Sequence, residues 1–166
     1  MEDKIKICVV LGSIREGRFG ERPAKWITDE LKNWEGVEVE FVDLKDYPMP
    51  FFNAPTSPSM MGKKYQNETV QKWSAKVDSA DAFIMISPEY NHGYSSVLKN
   101  ALDWLSPEWS RKAVGFVSYG SASGAKGYRA IARGSHRVEP GAYTQISAHT
   151  MGLHNEDMEQ QGYLKC

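Results

Sequence analysis

The sequence has little cysteine and no long apolar run. Its two cysteines are Cys8, inside an apolar segment, and Cys166, so we expect neither a disulfide framework nor a paired-cysteine metal site. We interpret Cys8 as a small buried hydrophobic residue. No apolar stretch approaches the roughly 20 residues that span a bilayer, and the start Met-Glu-Asp-Lys does not resemble a secretory signal. These absences predict a cytoplasmic protein without a membrane-spanning segment.

An excess of charge of one sign is also missing. Lys and Arg number 20 and Asp and Glu number 21, giving a formal net charge of −1, which is too balanced for the basic field of non-specific nucleic-acid binding. The sequence has no Walker A ending and no Gly-x-Gly-x-x-Gly spacing. His149 and His154 have no partner ligands at metal-binding spacing. We therefore expect no nucleic-acid partner, no ATP hydrolysis and no metal site.

The sequence does contain an alternation of strand and helix patterns. The β-branched and apolar runs that predict strands lie at residues 5–11, 37–42, 82–87 and 113–119. The segments with apolar residues at helical spacing lie at residues 23–36, 70–80 and 97–105. This order predicts an α/β domain with a parallel sheet and right-handed crossovers. We expect one domain over residues 1–166, because the chain length and the 41% of hydrophobic residues suit a single core.

Three local patterns refine this prediction. The second strand alternates with polar residues and is therefore expected near the sheet edge. The first helix is expected to carry Ala24, Ile27, Leu31 and Trp34 on one apolar face and to end near Gly36. Residues 47–62 contain four prolines, so they predict an irregular excursion of a kind that often carries function.

The loop after the first strand has the composition of a phosphate site. Residues 12–20 lead from a strand end to a helix N-terminus, where backbone N–H groups and the helix dipole favour an anion. The glycines permit close backbone approach, and two arginines can neutralise a monophosphate. The candidate ligands in this loop are Ser13, Arg15, Arg18, Phe19 and Gly20. The alternative is a mobile glycine-rich turn with two solvated arginines.

Two more loops are expected at the same edge of the sheet, because ligands of open parallel sheets bind beyond the carboxyl ends of the strands. The second loop offers Pro88, Glu89, Tyr90 and Asn91 to a planar ligand. The third offers Ser118, Tyr119, Gly120 and Ser121, whose backbone can approach a ligand edge. In the alternative interpretation Tyr90 is a packing residue, His92 is a solvated loop residue, and the third loop is a flexible turn.

Four motifs together resemble the NADPH-dependent FMN reductase family. They are Leu-Gly-Ser-Ile-Arg-Glu-Gly-Arg from residue 11, Ser-Pro-Glu-Tyr-Asn-His from residue 87, Val-Leu-Lys-Asn-Ala-Leu-Asp-Trp from residue 97 and Ser-Tyr-Gly-Ser from residue 118. The resemblance covers about residues 5–124. It implies a flavodoxin-like three-layer sandwich with strand order 2-1-3-4-5, bound FMN, NADPH or NADH as co-substrate, and a homodimer or homotetramer.

The resemblance also implies roles for the three loops. The first loop would hold the FMN phosphate, the second would line the ribityl chain and the isoalloxazine, and the third would close the ring pocket. Residues 94–96 depart mildly from the family pattern, and a larger departure begins after Gly124. From about residue 125 we expect an atypical C-terminal segment, diverged, truncated or frame-altered, in which the fifth strand is in doubt.

A flavin carries hydride chemistry by itself, so this chain needs no acid–base dyad or nucleophile. The resemblance implies ping-pong reduction of small electron acceptors: quinones, free flavin, azo compounds or metal oxyanions. One alternative is a non-catalytic electron carrier or flavin-binding interaction module with the same fold. The near-neutral charge argues against a carrier, which is usually strongly acidic. A second alternative is a homologue that has lost its flavin through the altered C-terminal segment.

Overall fold

A computed structural model describes residues 4–120 and contains one parallel sheet. Its strands are β1 (Ile5–Leu11), β2 (Val37–Asp43), β3 (Ala82–Pro88) and β4 (Ala113–Tyr119). They lie in the order β2-β1-β3-β4, and all three neighbouring pairs are parallel. The predicted α/β class and the order of these four strands are confirmed, and among the described residues β2 lies at an edge of the sheet, as expected. The predicted fifth strand and the atypical segment lie outside the described residues.

Helices cover both faces of this sheet. They are α1 (Glu21–Lys32), α2 (Glu68–Asp78) and α3 (Ser96–Asp103). The side chain of Asn67 accepts hydrogen bonds from the first turn of α2, and Ser95 does so for α3, so both helices have the polar N-caps that favour their start. No helix in the described range is both long enough and apolar enough to cross a membrane.

The core consists of two apolar clusters, one on each face of the sheet. Val9, Leu11, Ile86 and Val117 pack against α1 on one face. The other face carries a larger cluster, which α2 and α3 cover and which includes Cys8, Val10, Phe83, Met85, Trp73 and Leu98. Successive strand residues alternate between the clusters because side chains alternate across a strand. The result is a three-layer sandwich, and Cys8 is buried in it as predicted.

Helix α1 differs from its predicted extent. It begins two residues before Pro23 and ends at Lys32, so Trp34 lies beyond the helix and is 62% exposed. The expectation that Trp34 belongs to the apolar face was therefore wrong. The chain turns away at Gly36, whose φ of 74° lies in the left-handed region that glycine adopts without strain.

The proline-rich excursion is irregular, as predicted, but it is firmly attached to α3. The Asn100 amide donates to the Pro50 carbonyl at 2.9 Å and accepts from the Phe52 backbone N–H at 2.9 Å. The indole N–H of Trp104 donates to the same Pro50 carbonyl at 2.7 Å. The side chains of Asn100 in α3 and of Trp104, directly after α3, therefore attach the excursion to this helix.

Candidate cofactor site

The first two predicted loops and the described start of the third, residues 118–120, meet at the carboxyl edge of the sheet. The Gly12 backbone N–H donates to the Ile86 carbonyl at 2.7 Å, which joins the first loop to β3. A Cβ on Gly12 would lie 2.8 Å from that carbonyl oxygen, so only glycine fits this crossing. The Glu89 backbone N–H donates to the Tyr119 carbonyl at 2.7 Å, which joins the second loop to β4. This is the edge at which open parallel sheets bind ligands.

Ser13 connects the first loop to the second. Its side chain is buried, and its hydroxyl lies 3.3 Å from the Tyr90 hydroxyl. The backbone N–H of Arg15 also points at the Ser13 hydroxyl, at 3.4 Å. The Tyr90 ring is 40% exposed. The predicted phosphate loop and the predicted ring loop are therefore in direct contact, and the Tyr90 hydroxyl lies at the phosphate loop.

The two arginines of the first loop have different surroundings. Arg15 is exposed, and it takes part in none of the ion pairs found among the described residues. Arg18 is only 5% exposed and forms ion pairs with Asp43 and Glu21. Of these two arginines, only Arg15 has a guanidinium that is free to reach a ligand from solvent.

Phe19 and Gly20 pack against Tyr119, the last residue of β4. The Phe19 and Tyr119 ring centroids are 5.2 Å apart. A Cβ on Gly20 would lie 2.6 Å from the Tyr119 hydroxyl oxygen and 2.7 Å from a Leu11 methyl carbon. Burial raises the pKa of the Tyr119 hydroxyl to about 12. Tyr119 therefore packs beneath the first loop, at the start of α1.

The second loop contains a two-residue turn. Tyr90 and Gly93 exchange two backbone hydrogen bonds of 2.9 Å, and the central residues Asn91 and His92 have φ values of 49° and 64°. Two positive φ values define a type I′ turn, for which asparagine is favoured. His92 is exposed, and its Nδ1 lies 3.2 Å from the Glu89 carboxylate. This placement fits the alternative in which His92 is a solvated loop residue.

Two serines that are not among the predicted site residues join the strand ends. The Ser95 hydroxyl donates to the Gly12 carbonyl, and its backbone N–H donates to the Ser87 hydroxyl at 3.2 Å. Ser87 lies at the end of β3, opposite Ser118 on β4. The sequence did carry a signal for Ser95, since an N-cap serine precedes the apolar stripe of α3.

The remaining predicted site residues follow the same strand ends. Pro88 is buried as the last residue of β3, and Gly120 is exposed directly after β4. The Ser118 hydroxyl is buried and has no hydrogen-bond partner within the described residues. A buried hydroxyl without a partner is unfavourable unless a further group satisfies it. Ser121 lies outside the described residues.

A cavity of about 350 Å³ lies beside the first loop. It is bounded by Ile14 of that loop, by the excursion at Tyr47 and Phe51, and by Val97 of α3. Its size is at the lower end for small-molecule sites. The prolines predicted the excursion, but no sequence pattern indicated that it borders the same cavity as Ile14 of the first loop. Within residues 4–120 no cluster of His, Cys, Asp and Glu could hold a metal ion.

The sheet order, the helical layers and the three converging loops define a flavodoxin-like α/β protein. The chain belongs to the NADPH-dependent FMN reductase family, whose family model matches residues 5–144. The predicted resemblance is thereby confirmed.

The relatives include a yeast enzyme and a plant enzyme. Over 119 residues the chain is 39% identical to an NAD(P)H-dependent FMN reductase of Schizosaccharomyces pombe, covering 72% of this chain and 60% of that protein. It is 34% identical over 124 residues to an NAD(P)H:quinone oxidoreductase of Solanum tuberosum, covering 72% and 61%. The chain thus spans about three fifths of the length of these two relatives.

A solved structure supports the fold. FerB, a flavoenzyme NAD(P)H:(acceptor) oxidoreductase from Paracoccus denitrificans, superposes with a TM-score of 0.62 at 22% identity. The match covers 92% of this chain and 81% of FerB. At this level of identity the likeness shows a shared fold.

Proposed function

We propose that this chain is a single FMN-binding domain that acts as an NAD(P)H-dependent oxidoreductase on small electron acceptors. The observation that carries the proposal is the contact between the first two loops, in which the buried Ser13 hydroxyl lies 3.3 Å from Tyr90. It brings a predicted phosphate loop and a predicted ring loop to one edge. Membership in the NADPH-dependent FMN reductase family supports the same conclusion.

The residues present fit FMN. Arg15 and the backbone N–H groups of residues 14–17 would hold the phosphate, with the Ser13 hydroxyl as a further donor. The ribityl chain and the ring would follow Pro88, Glu89, Tyr90 and Asn91 towards the end of β4. The Ser118 hydroxyl, which lacks a partner in the described part of the chain, is available there for a flavin nitrogen or oxygen.

Bound FMN supplies hydride transfer, and the protein supplies position and access. The nicotinamide must approach to roughly 3–3.5 Å between reacting atoms, so one face of the site has to stay open. Tyr90 and Asn91 are exposed, and Gly120 presents no side chain. These features support the approach of a nicotinamide beside the second loop and the end of β4.

The first test is the visible spectrum of the purified chain loaded with FMN, before and after anaerobic NADPH or NADH. We expect bleaching of the flavin absorption by one of the two nucleotides. Failure to take up FMN would contradict the binding proposal. A flavin that stays oxidised with both nucleotides, yet is reduced by a protein partner, would indicate an electron carrier instead.

We further propose that quinones, free flavin, azo compounds or metal oxyanions accept the electrons. The names of the relatives support the first of these, since one is an NAD(P)H:quinone oxidoreductase. Because donor and acceptor would use the same open face, steady-state plots at several quinone concentrations should be parallel, as in a substituted-enzyme cycle. Intersecting lines would contradict a shared face.

We also propose a cytoplasmic homodimer or homotetramer. Ile14 and Phe51 are large, exposed apolar residues that border the same cavity, and such clusters often mark contact surfaces. The buried free Cys8 is compatible with a reducing compartment. Light scattering during gel filtration gives the oligomeric state, and a monomer at micromolar concentration would contradict the proposal.

A further inference from the structure

The Arg18 side chain is almost fully used by contacts within the protein. Its Nε donates to Glu21 at 3.0 Å, and its Nη1 donates to the Ser13 carbonyl. Nη1 also donates to one carboxylate oxygen of Asp43 at 2.8 Å, while Nη2 donates to the other. Four of the five N–H donors of the guanidinium therefore have protein acceptors.

Asp43 is the last residue of β2 and belongs to none of the three loops. Besides the fork from Arg18, its carboxylate accepts the Lys45 backbone N–H at 2.9 Å. Burial acts to raise the pKa of the Asp43 carboxyl, but hydrogen bonds from Arg18 and the Lys45 backbone hold that pKa below its ordinary value. The pair is thus a charged, bidentate link between the sheet edge and the first loop.

We propose that Asp43 is a positioning residue for the FMN phosphate, acting through Arg18. The link fixes the Ser13 carbonyl, and with it the path of the loop that presents its N–H groups to the anion. Arg15 is then the arginine that contacts the phosphate. This inference rests on the proposed function, and it changes the role that the sequence predicted for Arg18.

The charges support this division of roles. In Arg18 the positive charge is neutralised by two carboxylates, Asp43 and Glu21, so little of it is available to an incoming dianion. Arg15 is exposed and adds its full charge to the loop. A direct role for Arg18 would require its guanidinium to leave Asp43. The Asp43 carboxylate, whose side chain is only 15% exposed, would then be unpaired beside the phosphate at a cost in electrostatic energy.

Asp43→Asn separates the two roles because they predict opposite effects. If Arg18 contacts the phosphate directly, the Asp43 carboxylate competes with the phosphate for the Arg18 guanidinium. Neutralising Asp43 should then leave FMN affinity unchanged or increase it. If Asp43 positions the loop, FMN affinity should fall about tenfold, the loss expected for one charge-assisted hydrogen bond. Riboflavin, which lacks the phosphate, should keep its affinity. Titrations followed by flavin fluorescence measure both, and unchanged or tighter FMN binding would overturn the proposal.

Amide exchange on the flavin-free protein provides a readout that does not depend on FMN. Asp43→Asn should increase exchange at residues 13–20, because the loop loses its attachment to β2. Arg15→Ala is the matched control: it should weaken FMN without changing exchange in this loop. Faster exchange with undiminished FMN affinity would mean that the link is only structural, and it would overturn the positioning role.

Arg18→Lys is a second variant that breaks the same link from its other end, and it tests the proposal if Asp43→Asn does not fold. It keeps a cation but removes the fork, so it should lose FMN affinity as Asp43→Asn does and retain riboflavin affinity. Full retention of FMN affinity by Arg18→Lys would overturn the proposal. If the parent itself takes up no FMN, the proposed function fails. The exchange experiment still tests the link, which is refuted if Asp43→Asn leaves the loop protected.

Discussion

Two polar clusters of this chain use their hydrogen-bonding groups in opposite ways. In the Glu108 cluster the Tyr65 hydroxyl donates to one carboxylate oxygen at 2.8 Å and the Ser74 hydroxyl donates to it at 2.6 Å. The Ser106 backbone N–H donates to the other oxygen at 3.2 Å. Glu108 is only 1% exposed. Each of these donors has an acceptor within the protein.

The carboxyl edge of the sheet contrasts with this arrangement. There Arg15 faces solvent, the Tyr90 ring is partly exposed, and the Ser118 hydroxyl has no partner within the described residues. A cluster whose polar groups satisfy one another stabilises the fold, whereas donors left over at a strand edge are available to a ligand. The comparison predicts that substitutions in the Glu108 cluster change stability, whereas removal of the exposed or unpartnered polar groups at the edge changes flavin affinity.

The largest effect should come from Glu108→Ala. It removes the acceptor of three donors in a buried place and leaves a cavity, so we expect a loss of roughly 3–5 kcal/mol in the free energy of unfolding. Urea unfolding followed by circular dichroism measures this loss. FMN affinity of the folded fraction should not change, because the cluster lies outside the three loops.

Glu35→Ala is the matched control for this variant, since Glu35 is an exposed acidic residue. We expect its free energy of unfolding to stay within about 0.5 kcal/mol of the parent. An equally small loss of unfolding free energy for Glu108→Ala would contradict the stabilising role of the Glu108 cluster. A change in FMN affinity in that variant would show that the two clusters are coupled.

The second effect concerns Arg15→Ala, which should cost about 1.5–3 kcal/mol in FMN binding, as for a hydrogen bond to a charged group. Riboflavin binding should be almost unchanged, because it offers no phosphate to the guanidinium. The unfolding free energy should also stay near that of the parent. Parallel titrations with FMN and riboflavin test this. Equal losses of affinity for both flavins would show that Arg15 does not contact the phosphate.

The sequence predicted these two clusters unequally well. Continuous β-branched and apolar runs predicted β1 and β4 to the residue, because strands buried on both faces of a parallel sheet are distinct in composition. The positions of the candidate loops could be predicted because each loop begins where a predicted strand ends. The Glu108 cluster was missed, since its members come from three separate segments and only tertiary packing brings their polar atoms together.

The individual roles at the edge were harder to predict than the edge itself. A pattern of residue types cannot tell that Asp43 occupies the fork of Arg18, because the two residues are 25 positions apart. Likewise, the sequence could not indicate that the Tyr119 hydroxyl packs against Gly20, and the place of Tyr119 beside the flavin ring stays a prediction. Sequence spacing predicts which loops converge, while the partner of each side chain depends on packing.

The third effect distinguishes two glycines of the first loop. Gly20→Ala should cost about 1–3 kcal/mol in unfolding free energy by overpacking, because its Cβ would meet Tyr119 and Leu11 at under 3 Å. Gly17→Ala meets no atom within 4 Å but has a φ of 61°, so its cost should be about 1 kcal/mol. Thermal unfolding of both variants gives the difference. Equal costs would mean that Gly20 has room to relax.

The smallest effect should come from Tyr90→Phe, which removes only the hydroxyl that lies 3.3 Å from Ser13. At that distance the hydrogen bond is long, so we expect a loss near the lower end of the usual range, about 0.5 kcal/mol in FMN binding. Tyr90→Ala also removes the ring, and it should weaken FMN and riboflavin alike if the ring contacts the isoalloxazine. The two variants therefore separate a contact with the phosphate loop from a contact with the flavin ring. If both variants bind FMN and riboflavin as the parent does, Tyr90 is a packing residue, and the flavin ring lies elsewhere along the edge.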